Sequence, residues 1–329
     1  MITEPASSQP VAFSSPTPAS AGAAATLPAN WFEGFEARHF EVNGTSIFAR
    51  FGGNVRGPAI LLLHGFPETH VMWHRVARAL QAQYFIVLPD LRGYGDSSKA
   101  AGLPDHSNYS KRTMAQDAVG VMDALGLANF YVCGHDRGGR VAHRLALDYP
   151  ARVDKLCVID IAPTLDMYDA TDMAFATAYY HWFHLIQPSP LPEFMIGCNA
   201  RAYLHASLGG LGSNGVGHIE AAALTEYERC FTPEAIHAAC EDYRASAGID
   251  LVHDRESRAH AEKIRCDMQV LWAGRGAVNR FFQPLALWQA QCAGAVSGEA
   301  LPAGHFLAEE LPVLAAHTLA QFLGGVGQT

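Results

Sequence analysis

The apolar run Phe130-Tyr131-Val132-Cys133, followed at once by Gly134-His135-Asp136-Arg137-Gly138-Gly139-Arg140, constrains this chain more than any other segment. The run reads as a buried strand. The heptad has the small-X-nucleophile-X-small-small spacing of a tight strand-to-helix turn that lifts one side chain above a sheet. Glycine at 134, 138 and 139 lets strand and helix approach where a Cβ would clash. The raised position holds Asp136 rather than serine, which excludes ordinary serine esterase or lipase chemistry there. A carboxylate needs no base to ionise it, and it can displace a leaving group from a tetrahedral carbon, leaving an ester on the protein.

Around this turn the chain reads as an α/β protein. Strand-like segments run from Phe35 to Val42 and Ser46 to Phe51, divided by the hairpin signal Asn43-Gly44. Further apolar strands are expected at Ala59 to Leu63, Tyr84 to Leu88, Phe130 to Cys133, Lys155 to Ile161 and Met268 to Trp272. Helical periods intervene, as at Met114 to Leu125 and Arg140 to Leu147. Uninterrupted apolar strands alternating with amphipathic helices predict a mostly parallel sheet covered by helices on both faces. The alternation fails between about Thr164 and His260, which is helical, aromatic and broken by a Gly-rich stretch from Gly209 to Gly217. The expected organisation is therefore a disordered Ala-, Ser- and Pro-rich extension (1–30), a first core segment (31–163), an inserted helical cap (164–260) and a second core segment (261–329). Such a lid would lie over the C-terminal strand ends, where α/β sheets place their sites.

Charge and cysteine usage narrow the function class. A formal charge of −9 argues against nucleic acid and anionic membrane surfaces as partners. It also gives an anionic substrate no global attraction, so an anion site must rest on local arginines. No run approaches the apolar length that spans a bilayer. The seven cysteines form no paired CxxC spacing, and Cys133 and Cys157 fall inside strand-like runs, which fits a reducing cytoplasm. Neither a cofactor nor a metal is expected.

The candidate catalytic set is Asp136, Asp160 and His305, in that chain order. Asp160 ends the run Lys155 to Ile159, and His305 lies in Ala303-Gly304-His305-Phe306 near the C-terminus. Hydrolysis of an aspartyl ester requires a base with a pKa near neutrality, which histidine supplies. Asp160 is the expected carboxylate partner that orients it, its alternative role being a turn cap that closes the strand. The backbone N–H groups of Phe66, in His64-Gly65-Phe66-Pro67, and of Arg137 are the expected oxyanion donors. Arg137 and Arg140, three residues apart at a helix N-terminus where cations are unfavourable, are expected to bind a substrate carboxylate. Their bland alternative is pairing with core acids.

At these residues the chain resembles the fluoroacetate (haloacetate) dehalogenases of the α/β-hydrolase superfamily, over about residues 35 to 325. The shared motifs are His64-Gly65-Phe66-Pro67, His106-Ser107-Asn108-Tyr109-Ser110-Lys111-Arg112, the Gly134 to Arg140 turn, Asp160-Ile161 with Pro163-Thr164, Tyr180-His181-Trp182, Cys240-Glu241-Asp242-Tyr243-Arg244 and Gly304-His305-Phe306-Leu307. The resemblance implies an α/β-hydrolase fold and conversion of a small anionic organohalogen, with water, to glycolate and halide. It makes Asp136 the nucleophile, His305 the base and Asp160 its acid, gives the substrate carboxylate to Arg137 and Arg140, and assigns His181, Trp182 and Tyr243 to the departing halide. Read without it, Tyr180-His181-Trp182 is an aromatic stripe packing the lid. A homodimer is also implied, although no interface is legible. Two positions depart from the family pattern. Gly139 stands where relatives often carry alanine, a change expected to be harmless, and Ser207 to Gly212 is Gly-rich and lacks the tryptophan expected near 208.

Two other readings share the same residues. An epoxide hydrolase also uses an aspartate and a histidine-acid pair and protonates its leaving oxygen with lid tyrosines, a role open to Tyr243. Against it stand the Arg137/Arg140 pair and the absence of an acid in Ala273-Gly274-Arg275-Gly276-Ala277-Val278-Asn279. A non-catalytic ligand receptor on this fold would not need all three catalytic positions filled.

Overall fold

The computed structural model describes residues 27–324. The extension expected over 1–30 thus lies, up to residue 26, outside the described residues.

One eight-stranded sheet organises the molecule. Its strands are β1 (Phe35–Val42), β2 (Thr45–Gly53), β3 (Ala59–Leu63), β4 (Phe85–Pro89), β5 (Phe130–His135), β6 (Val153–Ile159), β7 (Asp267–Ala273) and β8 (Val296–Leu301), in spatial order β1-β2-β4-β3-β5-β6-β7-β8. The first two strand pairings in that order are antiparallel and the remaining five parallel. Helices α1 (His74–Leu80), α2 (Lys111–Ala124) and α3 (Asp136–Asp148) join the early strands.

Successive residues of a strand point to opposite faces, and β3 is apolar at every position because both of its faces are covered. Ile60 and Leu62 pack with Val76 and Leu80 of α1, while Leu61 and Leu63 pack with Met114 of α2 and Val141 of α3. The unbroken apolar runs of the sequence are these doubly buried strands.

Between β6 and β7 the chain forms eight helices: α4 (Thr164–Asp169), α5 (Met173–Ala178), α6 (Tyr180–Leu185), α7 (Leu191–Gly197), α8 (Ala200–Gly209), α9 (Ala221–Cys230), α10 (Pro233–Ala247) and α11 (Ile249–Ala259). The Gly-rich stretch is the break between α8 and α9. After β7 come α12 (Ala277–Phe281), α13 (Pro284–Gln289), β8, α14 (Leu307–Glu310) and α15 (Pro312–Leu323).

Two strand expectations need correction. β6 stops at Ile159, not Ile161, because Asp160 takes φ +50°, which no extended strand tolerates. Strand β8, Val-Ser-Gly-Glu-Ala-Leu, carries no apolar run because it is the sheet edge and is largely exposed.

Candidate active site

The parallel strands deliver His64-Gly65, Asp136 and Asp160 from the C-terminal ends of β3, β5 and β6 to one edge of the sheet. At Asp136 the chain passes from strand to helix with φ +44°, a left-handed conformation that costs a non-glycine residue about 1–2 kcal/mol. Packing holds it there. A Cβ on Gly134 would sit 2.4 Å from the Gly138 carbonyl oxygen, and one on Gly138 would sit 2.4 Å from that of His64. The Gly138 N–H donates to the His64 carbonyl at 2.9 Å, which ties the β3 loop to the first turn of α3. That tie brings the Phe66 N–H to 3.2 Å from Asp136 Oδ2. The Arg137 amide follows Asp136 in the same turn.

His64 itself is structural. Its Nδ1 donates to the Gly65 carbonyl and its Nε2 accepts from the Leu91 N–H, both at 2.9 Å, so neither nitrogen is free.

His305 and Asp160 meet across the site. His305 Nδ1 donates to Asp160 Oδ2 at 2.6 Å, which leaves Nε2 as the basic nitrogen. Asp160 Oδ1 accepts the Ala273 N–H at 2.9 Å, so this side chain both closes the strand end and orients the histidine. Burial disfavours the imidazolium of His305, but the hydrogen bond and charge of Asp160, with the charges of Asp136 and Glu68, outweigh it and raise its pKa. Burial likewise opposes ionisation of Asp136, and His305, Arg137 and Arg140 together overcome it, holding its pKa below the usual carboxyl range.

The arginines are engaged differently from the expected guanidinium forks. Arg137 is fully buried and spends Nε and Nη2 on Asp242, at 2.8 and 2.6 Å, with Nη2 also reaching Ser246 Oγ at 2.5 Å. Arg140 gives Nη1 to Thr164 Oγ1 at 2.8 Å and Nη2 to the Met167 sulfur at 3.3 Å. Arg137 Nη1 and Arg140 Nε remain without a partner although buried. Pairing with a core acid therefore holds for two of Arg137's nitrogens, and each arginine keeps one unpartnered nitrogen. Asp242, which no local spacing singles out, is the hub: it also accepts Tyr94 Oη at 2.7 Å and bonds Lys111 Nζ. These contacts clamp α10 to the core.

His181, Trp182 and Tyr243 come together from α6 and α10. The Trp182 indole nitrogen and the Tyr243 hydroxyl are buried without partners, as is the hydroxyl of the neighbouring Tyr168. The Arg137 guanidinium lies 4.1 Å over the Tyr243 ring and that of Arg140 lies 4.7 Å over the Trp182 ring, so each arginine touches one member of the trio. The ring of His181 lies 5.9 Å from that of Tyr243. Burial lowers the pKa of His181 to about 3, so it is a neutral donor through the physiological range.

A cavity of about 110 Å³ is lined by Asp136, His305, His181, Tyr243, Phe66 and other residues. Its lining also includes Tyr179, Ser207, Gly210 and Leu211, which the sequence did not mark individually. Arg137, Arg140 and Trp182 are not among the lining residues.

Among the described residues, the side chains with metal-ligand spacing are Glu193, His237 and Glu241, on α7 and α10. Arg244 already bonds both carboxylates, at 2.8 and 2.7 Å, and supplies the positive charge an ion would bring.

A sequence profile of the alpha/beta hydrolase fold matches residues 58–195. The fluoroacetate dehalogenase of Burkholderia sp is 41% identical over 303 residues, which cover 91% of this chain and 98% of that protein. The soluble epoxide hydrolase of Corynebacterium sp. (strain C12) is 30% identical over 81% of this chain and 90% of its own length. Among solved structures, one described as an alpha/beta hydrolase from Nostoc sp PCC 7120 superposes with a TM-score of 0.86 at 50% identity, covering 90% of this chain and 100% of that one.

Proposed function

The chain belongs to the fluoroacetate (haloacetate) dehalogenase family of the α/β-hydrolase superfamily, and from that premise we propose a two-step displacement and hydrolysis at Asp136. The overall reaction converts a 2-haloacetate and water to glycolate, halide and a proton. In the first step an Asp136 oxygen attacks C2 opposite the halogen. The carbon–halogen electrons leave with the halide, and the enzyme is left carrying an alkyl ester.

Arg137 Nη1 and Arg140 Nε hold the substrate carboxylate, one donor from each guanidinium, while Asp242 and Thr164 lock the rest of each fork. The N–H of His181, the indole N–H of Trp182 and the hydroxyl of Tyr243 receive the halide. Neutral donors in a buried site stabilise charge developing on a poor leaving group without themselves changing charge.

In the second step His305 Nε2 removes a proton from water, and the resulting hydroxide attacks the Asp136 carboxyl carbon. The oxyanion forms at the amides of Phe66 and Arg137, and Asp160 stabilises the imidazolium. Collapse releases glycolate, its oxygen taking up the imidazolium proton, and Asp136, now holding one solvent oxygen, loses the second water proton to solvent and is again ionised. Residues 164–260 act as the cap that closes over this chemistry.

The observation that carries this reading is the pair of buried, unpartnered guanidinium nitrogens beside an ionised Asp136. Two cations with free donors suit an anionic substrate, and a neutral epoxide makes no use of them. Purified protein is expected to release halide and glycolate from fluoro-, chloro- and bromoacetate. Failure on all three beside turnover of epoxides would transfer the assignment to epoxide hydrolysis, with Tyr243 as the proton donor. A single turnover in H₂¹⁸O is expected to label the Asp136 side chain; label appearing only in glycolate would remove the ester.

We place the enzyme in a reducing cytoplasm, in keeping with seven free cysteines, and read it as a homodimer on the family resemblance. Among the described residues no helix is long and apolar enough to cross a membrane.

A further inference from the structure

Behind His305 lies a buried polar layer that the chemistry above leaves unused. His135, immediately before the nucleophile, is fully buried, and its ring centroid lies 4.6 Å from that of His305. Its Nε2 lies 2.8 Å from the His305 carbonyl oxygen. A carbonyl can only accept, so Nε2 must carry a proton. On the other side, His135 Nδ1 lies 3.1 Å from Glu68 Oε2. Two lone pairs cannot face each other at that distance in a dry interior, so a second proton lies between Nδ1 and Oε2. Space there is tight, for a Cβ on Gly65 would come within 2.9 Å of His135 Nδ1.

Glu68 is in turn buried near Glu309. The Oε1 of Glu68 and the Oε2 of Glu309 have no partner, while Glu309 Oε1 accepts the Tyr227 hydroxyl at 2.8 Å. Burial and the charge of Glu68 hold Glu309 protonated well above the usual carboxyl range. Arg75 bonds the Glu309 backbone carbonyl at 2.6 Å, Glu220 acts by charge on Glu309, and His218, His64 and His305 face the charge of Glu68.

We infer that Glu68 is a positioning residue for the catalytic base: by keeping a proton at His135 Nδ1 it fixes Nε2–H as the donor that anchors the His305 backbone. The inference rests on the two-step reading above. The orientation of one imidazole is set by what its far nitrogen meets, as in other hydrogen-bonded histidines. Without Glu68 the second proton is no longer held, the one proton of a neutral His135 is free to sit on Nδ1, and a bare Nε2 would repel the His305 carbonyl. The loop bearing the base would then shift, and displacements on the order of 1 Å cost about 10²-fold in rate.

Alkylation needs Asp136 and not His305, so the defect falls on the second step. In Glu68→Leu, ester hydrolysis is expected to slow about 10- to 100-fold while alkylation, read as the first-turnover release of bromide from bromoacetate, changes little. The ester then accumulates as added mass on the Asp136 peptide. Glu68→Gln, whose amide donates to Nδ1 and holds the same tautomer, is expected to restore hydrolysis. Where Glu68→Leu does not fold, His135→Phe fills the ring volume without the Nε2 donor and is expected to show the same split between the two rates. Wild-type hydrolysis in these variants, or an equal fall in both steps, would overturn the inference. His305→Asn serves as the reference: if it traps ester and the Glu68 and His135 variants do not, only the positioning role is lost. If it traps none, the two-step reading itself falls.

Discussion

Asp242 accepts both Nε and Nη2 of Arg137, at 2.8 and 2.6 Å, in a site where neither side chain touches solvent. The pair links α10 to the first turn of α3, directly after Asp136. Burial works against the charge on each side, yet Asp242 is held well below and Arg137 well above its ordinary range because each is the other's counter-charge. The same carboxylate also bonds Lys111. Asp242→Ala therefore strands two buried cations, and a loss of about 3–5 kcal/mol is expected in denaturant unfolding, together with weaker haloacetate binding. Unchanged stability would mean that the network contributes nothing to holding the cap on the core.

Arg140 keeps one unpartnered nitrogen, Nε. Arg140→Ala is expected to reduce kcat/KM for chloroacetate by about 30- to 5000-fold, the range for truncating one side of a buried charge pair at about 2–5 kcal/mol. Chloroacetamide has the same carbon–halogen bond and no charge, so its slower turnover should change far less. Equal losses on both substrates would remove the carboxylate role.

The Trp182 indole nitrogen is buried without a partner and its ring lies under Arg140; in the proposed reaction that N–H receives the leaving halide. Trp182→Phe keeps much of the ring and deletes the donor. Loss of one such donor costs about 10²–10³-fold where charge develops fully, and fluoride, the poorer leaving group, depends on it most. The ratio of fluoroacetate to bromoacetate turnover is expected to fall; a constant ratio would assign Trp182 to packing alone.

Against the cost of burial, Asp160 favours the protonated form of His305 in the ester as in the free enzyme, whereas Asp136 carries no charge once esterified, so hydrolysis of the aspartyl ester is expected to rise with pH along a limb set by the His305–Asp160 pair. Asp160→Asn is expected to move that limb to lower pH and to lower the plateau, since the histidine loses both a counter-charge and its orientation. Rapid-quench measurement of ester decay against pH checks both. The sign for stability is opposite. The raised pKa contributes stability that is fully present below the unfolded value and is lost as pH rises through the folded one. His181, with a pKa near 3, should add no limb above about pH 4.

Gly138 and Gly139 differ in what an added methyl would meet. At 138 it would lie 2.4 Å from the His64 carbonyl oxygen and 2.5 Å from the Leu63 carbonyl carbon, all backbone. At 139 it would lie 2.8 Å from Ile161 Cδ1, a movable side-chain end, and 2.9 Å from the Gly134 carbonyl oxygen. Gly138→Ala is expected to destabilise by at least the about 1–3 kcal/mol typical of overpacking, and to displace Asp136. Gly139→Ala should be milder but not the silent change expected from relatives, because the Gly134 oxygen belongs to the strand. Thermal unfolding of the two variants checks the order.

The local features of this protein were legible because they are written in neighbouring residues. A strand is apolar at every position where both faces are covered, so β3, residues 130–133 of β5 and residues 156–159 of β6 announced themselves, and a strand-to-helix turn this tight admits only glycine at its contact points. The acid in the raised position excluded a serine mechanism before any coordinate was known. Strand β8 escaped because an exposed edge imposes no apolar pattern.

What only the tertiary structure decided is which atoms are left over. That Arg137 spends two nitrogens on Asp242, 105 positions away, or that Glu68 reaches His135, is a pairing across the fold that no local spacing encodes. The sequence determines which charges are present and which turn presents them. Whether a buried donor is consumed by the protein or kept for a substrate depends on distances of a few tenths of an ångström between segments far apart in the chain, and only packing sets those.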